Sequence, residues 1–159
     1  MPIRILATVD PTAGRVDART EQGETIRMDA DPPDGPGSAA GPKETLLAAL
    51  AGCTSMDVAS ILRKKRQAAT RYDIAVSGDS ADEHPRVFVM ITVEHHVSGE
   101  VEPEALRRAI ELSATRYCPV SAMLSAAVTI EHRYRLNDPD GARPSVLVAV
   151  TGPQRSEVL

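Results

Sequence analysis

The chain has 159 residues, a length that suits one domain with a hydrophobic core. Its 18 basic and 22 acidic side chains give a net charge of −4, which argues against nucleic acid as a partner because that role needs a basic surface. No apolar run appears long enough on sequence to cross a bilayer, and the first ten residues lack the features of a signal peptide. We therefore expect a cytoplasmic protein that does not bind membranes.

The N-terminal segment predicts strands followed by a loop. Residues 3–9 alternate apolar and polar side chains, and residues 14–29 continue as a meander of hairpins with breaks at Gly14 and Gly23. Residues 31–41 are rich in Pro and Gly, which predicts a loop. A loop of this length is typical of a functional lid or rim.

A long apolar helix is predicted from Pro42 to about Gln67, because Pro suits the first helical position and apolar residues recur along the run. Small residues surround Cys53 in this helix and would let another backbone come close. The basic end, residues 63–66, is interpreted as a solvated helix terminus whose cations complement the helix dipole. A basic targeting or nucleic-acid patch is the alternative.

The remainder of the chain predicts an α+β fold. Strands are expected over 72–76, 87–93 and 128–136, with a helix that begins at Pro103. On the second strand, Val87, Val89, Ile91 and Val93 should face the core. The order β-β-β-α-β-β-α-β is typical of a mostly antiparallel sheet packed with helices.

We predict a single domain over residues 1–136. Residues 137–144 form a linker, and residues 145–151 form an added strand before a C-terminal tail that ends at residue 159.

The chain has two cysteines, which indicate either a structural bridge or redox chemistry. A stable bridge is the less expected outcome in a reducing cytoplasm. Pro119 predicts that Cys118 is the N-cap of a helix, where backbone N–H groups favour a thiolate. Burial should raise the pKa of Cys53 unless an arginine reaches it. Cys118 is therefore the easier thiol to ionise on these grounds, and an unreactive buried pair stays an alternative.

Two stretches around the cysteines carry a family pattern. They are Pro42-x-Glu44-x-Leu-Leu-Ala-Ala-Leu-Ala-Gly-Cys53 and Tyr117-Cys118-Pro119-Val120-Ser121. Together they resemble the OsmC/Ohr superfamily, the osmotically inducible and organic-hydroperoxide-resistance proteins of bacteria. The resemblance covers about residues 40–136. It implies an OsmC-like fold in an intertwined homodimer, with sheets wrapped around long central helices.

The resemblance also implies roles for the two thiols. Cys53 becomes the peroxidatic thiol and Cys118 the resolving one, which reverses the order that the pKa argument suggests. The family supports its thiolate with an Arg and a Glu. The family Glu lies ten residues before the first Cys, and that position is Lys43 in this chain.

Glu44, one residue later, is the candidate for the supporting carboxylate. Nine residues of straight helix place it about 13 Å from Cys53 along the axis. A direct contact would then come from the partner chain or from a bent helix. For the arginine, Arg15, Arg19 and Arg27 are candidates on the N-terminal strands, and Arg19 is our choice.

The predicted function is a thiol-dependent peroxidase that reduces organic hydroperoxides through a sulfenic acid and disulfide cycle. An external dithiol reduces the disulfide, and no cofactor is expected. The alternative is a non-catalytic OsmC-like dimer that binds a small apolar ligand, which Lys43 at the family Glu position favours. The residues expected to line an apolar pocket are Leu47, Leu50, Met56 and Met123.

Metal binding is not expected. The strand histidines and their neighbour, Glu94, His95, His96 and His132, match no zinc spacing. Only Glu94 and His96 clearly share a strand face.

Overall fold

The structure is a computed structural model that describes residues 2–153. The chain divides into two compact units, Met1–Leu46 and Leu47–Leu159. The fold is α+β, as the sequence predicts, but its strands form two sheets. Residues 154–159 of the predicted tail lie outside the described residues.

The first unit contains a three-stranded antiparallel sheet in the order β1-β2-β3. Its strands are β1 (Ile5–Asp10), β2 (Arg15–Thr20) and β3 (Thr25–Asp29). The predicted meander is therefore present. The apolar residues of β1 are not buried in the chain: Leu6 is 73% and Val9 58% exposed.

Helix α1 (Pro42–Lys64) begins at the predicted proline and ends three residues before the predicted end. Its buried residues recur every four positions, which places them on one face. They are Leu50, Thr54, Val58 and Leu62. Arg63 and Lys64 occupy the last turn, where their charges complement the helix dipole.

The length and apolarity of α1 correct one expectation from the sequence. The helix has 23 residues and a mean hydropathy of 1.6 over its most apolar window, which is sufficient to cross a membrane by length and composition. Leu50, Val58 and Leu62 nevertheless belong to clusters of buried side chains. The core helix of a globular domain meets the same criterion, so this property does not indicate a membrane span.

The second unit contains a four-stranded sheet in the order β4-β5-β6-β7. Its strands are β4 (Ala68–Ser80), β5 (Phe88–Glu100), β6 (Thr129–Leu136) and β7 (Val146–Thr151). The β5–β6 pair is parallel and the other two pairs are antiparallel. Strands β4 and β5 are longer than predicted, and the strand expected over 145–151 is present as β7.

Because parallel strands need a crossover connection, the chain between β5 and β6 is helical. It consists of α2 (Pro103–Leu112), a π-helical turn (Ser113–Tyr117) and α3 (Pro119–Leu124). The predicted element order lacked α3 as a separate helix. This crossover carries Cys118.

The core lies on the face of β5 formed by every second residue. Ile91, Val93 and Val97 are buried there, but Val87 and Val89 are 56% and 49% exposed. The prediction that all four valine and isoleucine positions from 87 to 93 meet the core is therefore wrong for the first two. Val87 precedes β5, and the buried clusters begin at Ile91, so this end of the strand extends beyond the core.

Candidate redox site

Two side chains of helix α1 and one from the crossover meet at one place in the second unit. The Sγ atoms of Cys53 and Cys118 and a carboxylate oxygen of Asp57 all lie within 4.8 Å of one another. Cys53 and Asp57 are four residues apart on α1, so they share a helix face. Both cysteines are free thiols. The two residues that the sequence singled out are thus brought together, with an acidic residue beside them.

The crossover helices hold Cys118 in a fixed position. Its backbone N–H donates to the carbonyl of Ser113 at 3.0 Å, which closes the π-helical turn. Cys118 is the N-cap of α3, as Pro119 predicts, and its Sγ accepts from the backbone N–H of Ser121 at 3.3 Å. The Thr54 hydroxyl donates to the same Sγ at 3.6 Å. Cys118 therefore accepts two hydrogen bonds while only 3% exposed.

Cys53 lies between the core and the surface and is partly exposed. Burial, together with the neighbouring Cys118 and the Asp57 carboxylate, raises the pKa of its thiol to about 11. The backbone N–H of Val120 donates to Cys53 and acts in the opposite direction. The net effect is a raised pKa for Cys53, which confirms the direction predicted from its burial. In this environment the thiol is protonated at neutral pH.

Asp57 is a site residue that was not predicted from the sequence. Its Oδ2 accepts a hydrogen bond from the Ser113 hydroxyl at 3.0 Å, which fixes the carboxylate against the π-helical turn. The signal was present in the sequence, because a spacing of four from Cys53 places Asp57 one helical turn away. Ser113 carried no such signal, since its approach to α1 depends on tertiary packing.

An open groove of about 590 Å³ begins at Asp57. It is lined by Asp57, Ser60, Ile61, Lys64, Lys65, Leu112 and Tyr117. The groove combines apolar side chains with two lysines, and it gives a route from solvent to the acidic residue of the site.

The predicted supporting residues lie in the first unit. Glu44 is in the first turn of α1, where its Oε2 accepts from the backbone N–H of Gly41 at 2.8 Å and caps the helix. Arg19 lies on β2, paired with Leu6 and Thr25. Their roles beside the thiolate stay predictions.

The four residues expected to line an apolar pocket separate into two groups. Leu47 and Leu50 pack in the cluster that contains both cysteines. Met56 and Met123 are 73% and 68% exposed.

The strand histidines occupy both faces of the second sheet. His96 pairs with Glu94 at 2.8 Å, as their shared face predicts, and Arg135 binds the same carboxylate. His95 and His132 are fully buried on the other face. Glu94 is thus in an ion-pair network and is separated from the buried histidines by the sheet.

The fold and the site together define a class of small α+β proteins in which a long helix and a crossover loop present a pair of thiols. A family profile described as OsmC-like protein matches residues 35–133. The chain belongs to this family, which confirms the resemblance seen in the sequence.

Relatives support the same assignment. The chain is 37% identical over 115 residues to Protein YhfA of Escherichia coli (strain K12), a match that covers 72% of this chain and 84% of that protein. The crystal structure of an OsmC-like protein from Mycoplasma pneumoniae has a TM-score of 0.74 at 18% identity, over 86% of this chain and 97% of that one. The crystal structure of an organic hydroperoxide resistance protein from Elizabethkingia anophelis has a TM-score of 0.68 at 13% identity, over 86% of this chain and 97% of that one. Both structures share the fold.

Replacing Asp57 should make Cys53 more acidic. We expect Asp57→Asn to lower the pKa of the Cys53 thiol, because the removed negative charge opposes thiolate formation. The thiolate fraction near pH 8 should rise by up to about tenfold, the equivalent of one pKa unit. The measurement is the rate of alkylation of Cys53 between about pH 7 and 11, followed by mass spectrometry. Asp82→Asn, at an exposed position, is the control. An unchanged or higher pKa in Asp57→Asn would contradict the assignment.

Proposed function

We propose that this chain is a thiol-dependent peroxidase that reduces organic hydroperoxides in defence against oxidative stress. The observation that carries the proposal is the pair of free thiols within 4.8 Å on an OsmC-like fold. Sulfur atoms at this separation can form a disulfide with a small movement of their side chains. The similarity to an organic hydroperoxide resistance protein supports the substrate class.

The exposure of the two thiols supports the order of their roles. Cys53 is partly exposed, so a hydroperoxide can reach its sulfur. Cys118 is 3% exposed and is held by hydrogen bonds from Thr54 and Ser121. A buried, fixed thiol is suited to intercept an intermediate that forms beside it. We therefore assign Cys53 as the peroxidatic thiol and Cys118 as the resolving thiol.

The proposed cycle has three steps. The Cys53 thiolate attacks the distal oxygen of the hydroperoxide, the O–O bond breaks, and the alkoxide takes up a proton and leaves as an alcohol. Cys53 is now a sulfenic acid. The Cys118 thiol condenses with it, which forms a disulfide and releases water. An external dithiol then reduces the disulfide by two thiol exchanges and is itself oxidised.

A peroxidatic thiol with a pKa of about 11 needs a cation to ionise at neutral pH. We propose Arg19 for this role, with Glu44 as the carboxylate that orients it, as the family resemblance implies. Arg27 donates twice to Asp17, and Arg15 is 3.9 Å from Asp10. Within residues 2–153, Arg19 forms no salt bridge, unlike these two arginines, which supports the choice of its guanidinium.

We further propose that the working protein is a cytoplasmic homodimer. Large apolar side chains are exposed on the single chain and would be covered in a dimer. They include Val87, Val89, Met56 and Met123.

The groove at Asp57 favours a second candidate, a non-catalytic protein that binds a small apolar ligand. Its volume of about 590 Å³ lies in the range of small-molecule sites, and Ile61, Leu112 and Tyr117 supply an apolar lining. In this case both thiols would remain reduced after hydroperoxide is added, and the groove would bind its ligand saturably.

A free-thiol titration separates the two candidates. Fully reduced protein receives one equivalent of cumene hydroperoxide per chain, with hydrogen peroxide in parallel. A peroxidase should lose two thiols per chain, faster with cumene hydroperoxide. Arg19→Ala should slow this loss, whereas Arg27→Ala should leave it nearly unchanged. Two intact thiols in the wild-type protein would reject the peroxidase and leave the binding protein.

A further inference from the structure

We propose that the reduced chain binds one zinc ion through the Sγ atoms of Cys53 and Cys118 and a carboxylate oxygen of Asp57. The three ligand atoms lie within 4.8 Å of one another. Tetrahedral zinc with Zn–S bonds of about 2.3 Å and Zn–O bonds of about 2.0–2.2 Å places such ligands roughly 3.5–3.8 Å apart. Small rotations of the side chains are therefore sufficient to close the site.

The donor set suits a thiophilic divalent ion. Thiolate ligands select zinc over hard ions such as magnesium and calcium, and a carboxylate is an accepted third ligand of zinc. Three protein ligands leave one coordination position for water. Cys53 and Asp57 are partly exposed, so an ion can reach the site and keep that position open.

Each of the three ligands is already held by a hydrogen bond. Metal-binding side chains are characteristically oriented by such outer partners, which also tune the affinity for the metal. The donors to the two sulfurs are the backbone N–H of Val120 to Cys53, and the Ser121 N–H and Thr54 hydroxyl to Cys118. The Ser113 hydroxyl holds Oδ2 of Asp57 at 3.0 Å. A carboxylate has two oxygen atoms, so Oδ1 can serve as the ligand while Ser113 holds Oδ2.

Charge and protonation agree with this site. Two thiolates, one carboxylate and Zn²⁺ carry a net charge of −1, and Lys64 and Lys65 line the groove that begins at Asp57. Because both thiols must lose protons, binding should tighten as pH rises. The sequence predicts no metal site, because the strand histidines match no zinc spacing, whereas this set of ligands is assembled by the packing of the crossover on α1.

The site would couple metal binding to redox state, an inference that rests on the proposed function. Two zinc-bound thiolates, one hydroperoxide and two protons yield a disulfide, an alcohol, water and free Zn²⁺. Oxidation thus removes two of the three protein ligands and releases the ion. Bound zinc should in turn slow the reaction with hydroperoxide, because the sulfur lone pairs are engaged.

Cobalt(II) is the probe, because its thiolate complexes absorb visibly. Reduced wild-type protein, titrated without oxygen, should bind one Co²⁺ per chain with tetrahedral thiolate absorption that an equivalent of Zn²⁺ abolishes. Cys53→Ser and Cys118→Ser should lose this spectrum, and Asp57→Asn should weaken binding strongly. Ser113→Ala, which removes only a positioning hydroxyl, should weaken it by about 10- to 100-fold. Asp82→Asn is the matched control and should bind like the wild type.

Absence of the thiolate absorption in reduced wild-type protein would overturn the proposal, as would undiminished binding in Cys53→Ser or Asp57→Asn. Circular dichroism will show whether Cys118→Ser folds. If it does not fold, the cobalt affinities of Asp57→Asn and Ser113→Ala test the metal site instead. Addition of cumene hydroperoxide to the cobalt complex separates this inference from the proposed function. If cobalt stays bound and both thiols remain intact after hydroperoxide is added, the metal site is retained and the peroxidase is rejected. If the protein does not bind cobalt but its thiols are oxidised, only the metal site is rejected.

Discussion

Cys53→Ser should abolish hydroperoxide turnover, and Cys118→Ser should react with one equivalent per chain and then keep Cys53 as a sulfenic acid, where the wild type forms a disulfide. A serine hydroxyl at position 53 is far too weak a nucleophile to cleave the O–O bond at neutral pH. With Cys53 intact and Cys118 removed, the sulfenic acid forms and has no thiol to condense with. Consumption of cumene hydroperoxide measures turnover, and mass spectrometry after dimedone labelling detects the trapped sulfenic acid.

The control for these variants is Asp82→Asn, at an exposed position of the second unit, which should keep full turnover. Retained turnover in Cys53→Ser would contradict the assignment of the peroxidatic thiol. Sulfenic acid on Cys118 in the Cys53→Ser variant would show that the order of roles is the reverse. That result would agree with the N-cap argument, which makes Cys118 the easier thiol to ionise.

The elements that position the two thiols are encoded locally and were predicted on that basis. Pro42 marks the start of α1, and the recurrence of apolar residues predicts its length to within three residues. Pro119 likewise predicts that Cys118 is an N-cap, because proline favours the first helical position. In both cases one residue with restricted backbone geometry determines where the element begins.

Features that depend on tertiary packing were not predicted. Strand β4 runs from Ala68 to Ser80, but its exposed positions carry polar residues such as Arg71 and Asp73, so only its centre had a strand pattern. The π-helical turn places Ser113 against Asp57, a contact between residues 56 positions apart. No local pattern reports such a contact, which is why the role of Ser113 in holding Asp57 emerged only from the structure.

Two histidines buried in the second sheet should make the protein sensitive to mild acid. His95 on β5 and His132 on β6 are both fully buried. The Tyr72 hydroxyl and Nδ1 of His95 share a hydrogen bond of 2.6 Å. Within residues 2–153, neither ring nitrogen of His132 has a hydrogen-bond partner. A proton added to either ring would thus create a charge in the core with little to stabilise it.

Burial, with smaller contributions from His132 and His96, lowers the pKa of His95 to about 3, and burial lowers the pKa of His132 to about 4. In the unfolded chain each pKa returns to about 6.5. Below that value the unfolded state binds more protons than the native state, so stability falls as pH falls from about 6.5 towards 4. By pH 5 the free energy of unfolding should fall by about 2 kcal/mol for each histidine, or by about 4 kcal/mol in total.

The measurement is the free energy of unfolding in urea at about pH 7.5 and pH 5, at one protein concentration because the stability of the proposed dimer would depend on it. His95→Gln and His132→Gln replace each ring with a side chain that stays neutral, and each should remove about half of the acid-induced loss. His84→Gln, at an exposed histidine, should leave the loss unchanged. Aspartates and glutamates titrate mainly below this range, so the difference between variants reports the histidines. Equal losses in the wild type and the double variant would show that the buried histidines do not determine stability in this pH range.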